Sequence, residues 1–160
     1  MRKNIKNYTS EQKLDTTAAL IQKILARAGA KRVMFDYDDN GDLEGIAFFI
    51  KTSQGEIPIK LPARVEKVHQ VMYSSGKEYV SPRIKEARMD QAKRTAWKNI
   101  QDWIDAQCAM IETDMVKMEE VFLPYMATPT GETFYEVMED KGFLLPSGKK
   151  DEDLKRRTNG

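Results

Sequence analysis

An α+β fold is what this sequence predicts, and three observations predict it. Positions 83–123 hold neither Gly nor Pro, and apolar residues recur there at intervals of three and four: Ala92, Ala96, Ile100, Trp103/Ile104, Ile111, Met115, Met118 and Phe122. That is the helical period. Three shorter segments, 33–37, 45–51 and 56–61, are rich in β-branched and aromatic residues and are separated by turn formers, as strands are. A further helical face precedes them. The expected order is α-β-β-β-α, a three-stranded antiparallel meander packed on helices, then a long amphipathic helix and a short C-terminal helix.

Each element has its own signals. Residues 1–8 are polar and basic and read as a flexible arm. Thr9 or Ser10 is expected to cap a helix whose face is Leu14, Ala18, Ile21, Leu25 and Ala28, with Gly29 ending it. Val33, Phe35 and Tyr37 alternate with Met34 and Asp36 in the first strand. The turn-rich run Asp38-Asp39-Asn40-Gly41-Asp42 leads to a central strand, GIAFFIK, and Thr52 to Gly55 turns the chain into EIPIKL, where Pro58 favours an edge. Pro62 is expected to open a short helix over 63–73 with Val65, Val68, Val71 and Met72 inward. Ser81 and Pro82 form a cap and first-turn pair for the long helix, 82–123, and Pro124 ends it. Thr130 or Thr133 caps a last short helix, after which Phe143, Leu144 and Leu145 are expected to dock on the core. The domain therefore spans 9–146, and the charged tail 147–160 reads as disordered.

A helix over 82–123 would be about 60 Å long at ~1.5 Å per residue, too long for a domain of this size. Either it breaks near Thr113-Asp114 or it pairs with another copy of the chain as a homodimer. A helical projection places Lys93, Gln107 and Asp114 inside the apolar stripe. Polar groups are costly in a sealed core, so that face is expected to be wet or to meet a partner.

Composition narrows the function classes. Lys+Arg 26 against Asp+Glu 25 leaves a net charge of +1, so no general attraction to polyanions is expected and any must be local. The single cysteine excludes an internal disulfide framework and suits a reducing compartment. The run MRKNIKNYTSEQK has no apolar secretory core, and no apolar stretch approaches the ~20 residues that span a bilayer. The expectation is a cytoplasmic protein, in the host cell if its origin is viral, with no membrane partner.

Motifs for chemistry are sparse. Asp36, Asp38, Asn40 and Gly41 match the opening of a calcium-binding loop, but its closing bidentate Glu is replaced by Ala47 and the flanks read as strands, so a hairpin turn is expected. His69 is the only histidine and has no Cys/His spacing around it; Cys108 reads as a packed thiol. No phosphate loop or nucleophile elbow occurs. The expectation is a non-enzymatic protein with no cofactor and no metal.

Binding residues can be named. Arg83, Lys85, Arg88, Arg94 and Lys98, near Lys93 at the start of the long helix, form the candidate nucleic-acid surface, and Lys149, Lys150, Lys155, Arg156 and Arg157 add cations in the tail. Glu86, Asp90 and Asp102 interrupt them. Replacing Arg94 and Lys98 by Glu is expected to abolish binding and spare the fold. Trp97, Trp103, Gln107 and Met118 are the candidate protein interface. The α-β-β-β-α order is similar to that of double-stranded-RNA-binding domains. However, the second helix opens Pro62-Ala63-Arg64-Val65-Glu66-Lys67 rather than with that family's basic signature.

The blocks VMFDYDDNGDLEGIAFFI, EIPIKLP, QAKRTAWKNIQDWIDAQCAMIE and MEEVFLPYM together resemble a family of small proteins of phages, prophages and mobile elements. The resemblance spans roughly residues 15–146. It carries over no catalytic residue, but it implies an accessory protein working inside a host cell. Two functions suit such a protein: a nucleic-acid-associated factor in replication or recombination, or a stoichiometric inhibitor of a host defence protein or its signalling molecule.

Overall fold

The computed structural model describes residues 5–73 and 79–143. Among them the chain forms α1 (Leu14–Arg27), β1 (Lys31–Tyr37), β2 (Leu43–Thr52), β3 (Gly55–Pro62), α2 (Val65–Tyr73), α3 (Pro82–Glu112), α4 (Met118–Phe122), a 3-10 turn (Leu123–Tyr125) and α5 (Phe134–Asp140). This is the α+β order expected. Leu144, Leu145, the tail cations and the tail 147–160 lie outside the described residues.

The sheet is an antiparallel meander of order β1-β2-β3. Its register places Phe35 opposite Ile46, Phe48 opposite Ile59, and Ile50 opposite Ile57. These residues point to one face, where Ile46, Phe48, Ile50, Ile59 and Leu61 are buried. α1 and α2 both pack on α3, and α1 and α3 add Ile21, Leu25, Trp97 and Ile104 to that core. Burying a Phe or Ile side chain this fully stabilises a fold by about 1.5–3 kcal/mol. Pro58 sits on edge strand β3 as its missing N–H requires, and its carbonyl accepts from the Ala127 N–H at 2.8 Å. Ile59 makes a bridge with Met126 beside it. At the opposite edge, β1 slips register at both ends, and Arg32 there adopts a left-handed φ of 51°.

α1 ends as expected: Gly29 takes a φ of 101°, the Ala30 N–H reaches the Leu25 carbonyl, and the Gly29 N–H reaches that of Ala26. Its start differs. Lys13 is the N-cap residue and no side chain caps the helix. The reason lies in α3, which captures the preceding chain. Gln91 Nε2 donates to the carbonyls of Tyr8 and Ser10, Arg94 Nε donates to Ser10, and Thr95 Oγ1 donates to Asn7. Residues 5–8, expected to belong to a free arm, are thus docked, with Ile5 and Tyr8 against the core. α2 begins at Val65, two residues later than expected, after Arg64 bends the chain at φ 46°, and Val71 faces solvent.

α3 has the expected start: the Ser81 hydroxyl accepts from the Ile84 N–H, and Pro82 occupies the first turn. It spans 31 residues rather than reaching Leu123. Thr113 directs its hydroxyl to the carbonyls of Ala109 and Met110, and Asp114 takes a φ of 56°, so the helix breaks where the sequence placed the break. The chain then reverses through α4, and Phe122 stands edge-on to both Phe48 and Trp103. That return packs Phe122 against Trp103 in the C-terminal half of α3, and the break removes the length argument for a second copy. Asp114 lies beyond the helix, Gln107 is half-buried, and Lys93 is ion-paired, so the polar stripe is resolved within one chain. Thr133 caps α5 with a reciprocal bond from Glu136. Phe143, expected in the core, is exposed and leans on Tyr135, because α5 packs chiefly on the 3-10 turn rather than on the sheet.

Candidate nucleic-acid interface

The five candidate cations of α3 separate into two groups. Arg94 and Lys98 are occupied. Besides its bond to Ser10, Arg94 donates from Nη2 to Gln91. Lys98 bonds Asp102 at 2.6 Å across one turn. Asp102 also accepts from Lys6 Nζ at 2.5 Å and Asn7 Nδ2 at 3.0 Å. Burial alone would raise the Asp102 pKa, but these three donors outweigh it and hold the carboxyl well below the usual range. The clasp that docks residues 5–10 is therefore built from the polar face that the sequence assigned to nucleic acid. Arg94 and Lys98 are withdrawn from that surface as structural residues.

Arg83, Lys85 and Arg88 stand differently. The first two turns of α3 are exposed, and Arg83 and Lys85 make no ion pair among the described residues. Arg88 is half-buried, with its guanidinium 5.2 Å from the centre of the Tyr73 ring. These three remain available to an anion.

Of the four candidate protein-interface residues, one is internal and three are half-buried. Trp97 has 0% exposure, its ring lies 6.2 Å from that of Phe35, and its indole N–H donates to the Leu43 carbonyl at 3.3 Å. It is a core residue and is removed from the interface. Trp103 is half-buried between Phe122 and Tyr125, and Met118 packs on the same cluster. Gln107 is half-buried beside them in sequence.

The acidic run is the β1–β2 hairpin. Asp38 Oδ1 accepts from the N–H groups of Asn40 and Asp42, at 2.8 and 2.9 Å. The Asp42 N–H, chief among several donors, lowers the Asp38 pKa. This carboxylate is satisfied by its own loop, and among the described residues no group of three or more His, Cys, Asp and Glu is arranged to hold a metal. His69 lies against the Tyr73 ring. Cys108 is fully buried, and burial, followed by the charges of Glu112 and Asp105, pushes its pKa up to about 11, the reverse of what a nucleophile needs.

Two surfaces escaped the sequence reading. One is a cleft of about 330 Å³ lined by Pro62, Arg64, Pro124, Tyr125, Thr133, Tyr135 and Glu136. Tyr125 is fixed there by Trp103, and Tyr135 by Phe143 and a bond to Glu139. The other is the open face of the sheet. Register pairs Met34 with Ala47, Ala47 with Lys60, Lys31 with Phe49, Phe49 with Pro58, and Lys51 with Glu56 on that side. Arg32 lies over Phe49 at 5.0 Å and bonds Glu56 on the third strand. Met34 is 48% exposed. The signal in the sequence is the alternation itself, which sets these residues opposite the core face, but it does not say which face the helices cover.

Compared with protein-family models, curated proteins and solved structures, the chain matches none.

Proposed function

We propose that this chain is a non-enzymatic accessory protein of a phage or mobile element that binds nucleic acid inside the host cell. The observation that supports this reading is the cation group at the exposed start of α3. Arg83 and Lys85 are exposed and free of ion pairs among the described residues, at a helix end that the core does not cover, and half-buried Arg88 lies one turn from Lys85. The near-neutral total charge makes the binding local and salt-sensitive rather than general. Fluorescence anisotropy of labelled single- and double-stranded DNA and RNA at two salt concentrations tests it. The expected result is binding that weakens with salt and is reduced by Arg83→Glu with Lys85→Glu. No binding at low salt would overturn it.

The cleft supports a second reading, a stoichiometric inhibitor of a host defence protein. Its two tyrosines and two prolines have few rotatable bonds and are the low-entropy contacts that protein partners use. Retention of a host protein that Tyr135→Ala releases, with no nucleic-acid binding, would decide for this reading.

A further inference from the structure

The open sheet face has an arrangement that solvation alone does not call for. A wet face of an antiparallel sheet ordinarily carries polar residues. Here the middle of the face is apolar across all three strands: Met34 on β1, Ala47 and Phe49 on β2, Pro58 on β3. Around it stand four cationic and two anionic side chains, on a chain whose total is only +1. The carboxylate of Glu56 is held by Arg32, and Asp36 lies at the far end, beside Gly45. Lys31, Lys51 and Lys60 make no ion pair among the described residues and are exposed.

The register fixes their spacing. Lys60 lies in the row of Met34 and Ala47, Lys31 in the row of Phe49 and Pro58, and Lys51 in the next row. Rows two residues apart are roughly 7 Å apart along the strands. One lysine thus stands in each of three successive rows, around an apolar and aromatic centre.

We infer that this face is a platform for single-stranded nucleic acid, with Met34, Pro58 and the Arg32 guanidinium that lies over Phe49 under the bases, and Lys31, Lys51 and Lys60 on the phosphates. The inference rests on the nucleic-acid reading above and adds to it the class of strand and a second surface. Unpaired bases offer their flat faces to aromatic and apolar side chains, and the backbone follows the cations. A duplex keeps those base faces stacked inside itself and meets only the lysines, so it binds more weakly.

The test is anisotropy of fluorescein-labelled oligothymidine and of a duplex of equal length. Three phosphate contacts on a single strand predict an affinity loss of roughly twenty-fold between about 50 and 200 mM salt. Lys51→Gln with Lys60→Gln is expected to lower single-strand affinity about ten-fold while leaving the melting temperature unchanged, since both residues are exposed and no carboxylate is set opposite Glu56. Phe49→Leu is expected to lower it severalfold with the salt slope unchanged, a readout that loss of charge would not give. Full retention of binding by the lysine variant overturns the platform, and so does a duplex bound as tightly as the single strand. If Arg83→Glu with Lys85→Glu then abolishes binding, the broader reading stands without the platform. Absence of any binding at low salt overturns both, and is the outcome expected if the face docks a protein instead.

Discussion

Lys93 of α3 bonds Asp42 of the β1–β2 hairpin at 2.6 Å, and one helical turn later Trp97 donates to the carbonyl of Leu43. Two residues on one face of the helix thus grip two consecutive residues of the hairpin. Burial pulls the Lys93 pKa down, but the bond and charge of Asp42, with Asp90 and Asp38, outweigh it and leave the pKa raised. Asp42 is partly open to solvent, so a double-mutant cycle of Lys93→Ala and Asp42→Asn is expected to give a coupling of only about 1 kcal/mol. Trp97→Ala removes the core side of the same grip and is expected to cost about 3–5 kcal/mol in urea unfolding.

Asp102 makes the docking of residues 5–10 depend on acid. Its pKa in the folded chain lies below the ordinary carboxylate value of about 3.9, because Lys6, Lys98 and Asn7 donate to it against the opposing effect of burial. A lowered pKa contributes stability that is complete above the ordinary value and is lost as pH falls through the folded one. Acid unfolding should therefore show a contribution below pH ~4 that Asp102→Asn removes. The same substitution should cost about 1–2 kcal/mol at neutral pH.

Arg94→Glu with Lys98→Glu is no longer a clean test of a binding surface. The change removes the Arg94 bond to Ser10. It also sets a second carboxylate one turn from Asp102, which at the same time loses its Lys98 partner. A loss of about 1–3 kcal/mol in stability is expected, with faster hydrogen exchange at the Tyr8 and Ser10 amides of the docked segment. Unchanged stability would show that the clasp is dispensable.

Cys108 should be inert in the folded protein. A thiol with a pKa of about 11 holds only about one thiolate in a thousand at pH 8, and it has no exposed surface. Ellman's reagent should label it in guanidinium and not in native buffer. Rapid native labelling would mean that the face of α3 toward α1 is open.

Periodicity carried most of the fold. The 3.6 repeat gave α1 and α3, the alternation gave the strands, and Pro58 gave the edge. Thr113-Asp114 was legible as a break only because an unbroken helix was too long. The clasp was not legible: Asn7, Gln91, Thr95 and Asp102 are isolated polar residues whose hydrogen bonds span 83 to 95 positions of sequence, and no repeat marks them. Trp97 was misplaced for a related reason. A helical projection gives the direction of a side chain but not what covers it. Arg94 and Lys98 looked like surface cations for the same reason, because their partners are carbonyls and a carboxylate that only the folded chain brings near.

The two borders of the sheet have a consequence for crowded solutions. On β3, Pro58 offers no N–H, and its carbonyl is already taken by Ala127. On β1, the irregularities at Arg32 and before Tyr37 break the even ladder that an incoming strand would need. A three-stranded sheet with one open apolar-centred face would otherwise be a seed for fibrils. With both borders refused, another chain cannot extend it by strand addition. At high concentration the protein should therefore stay clear of amyloid-type growth even where its faces meet.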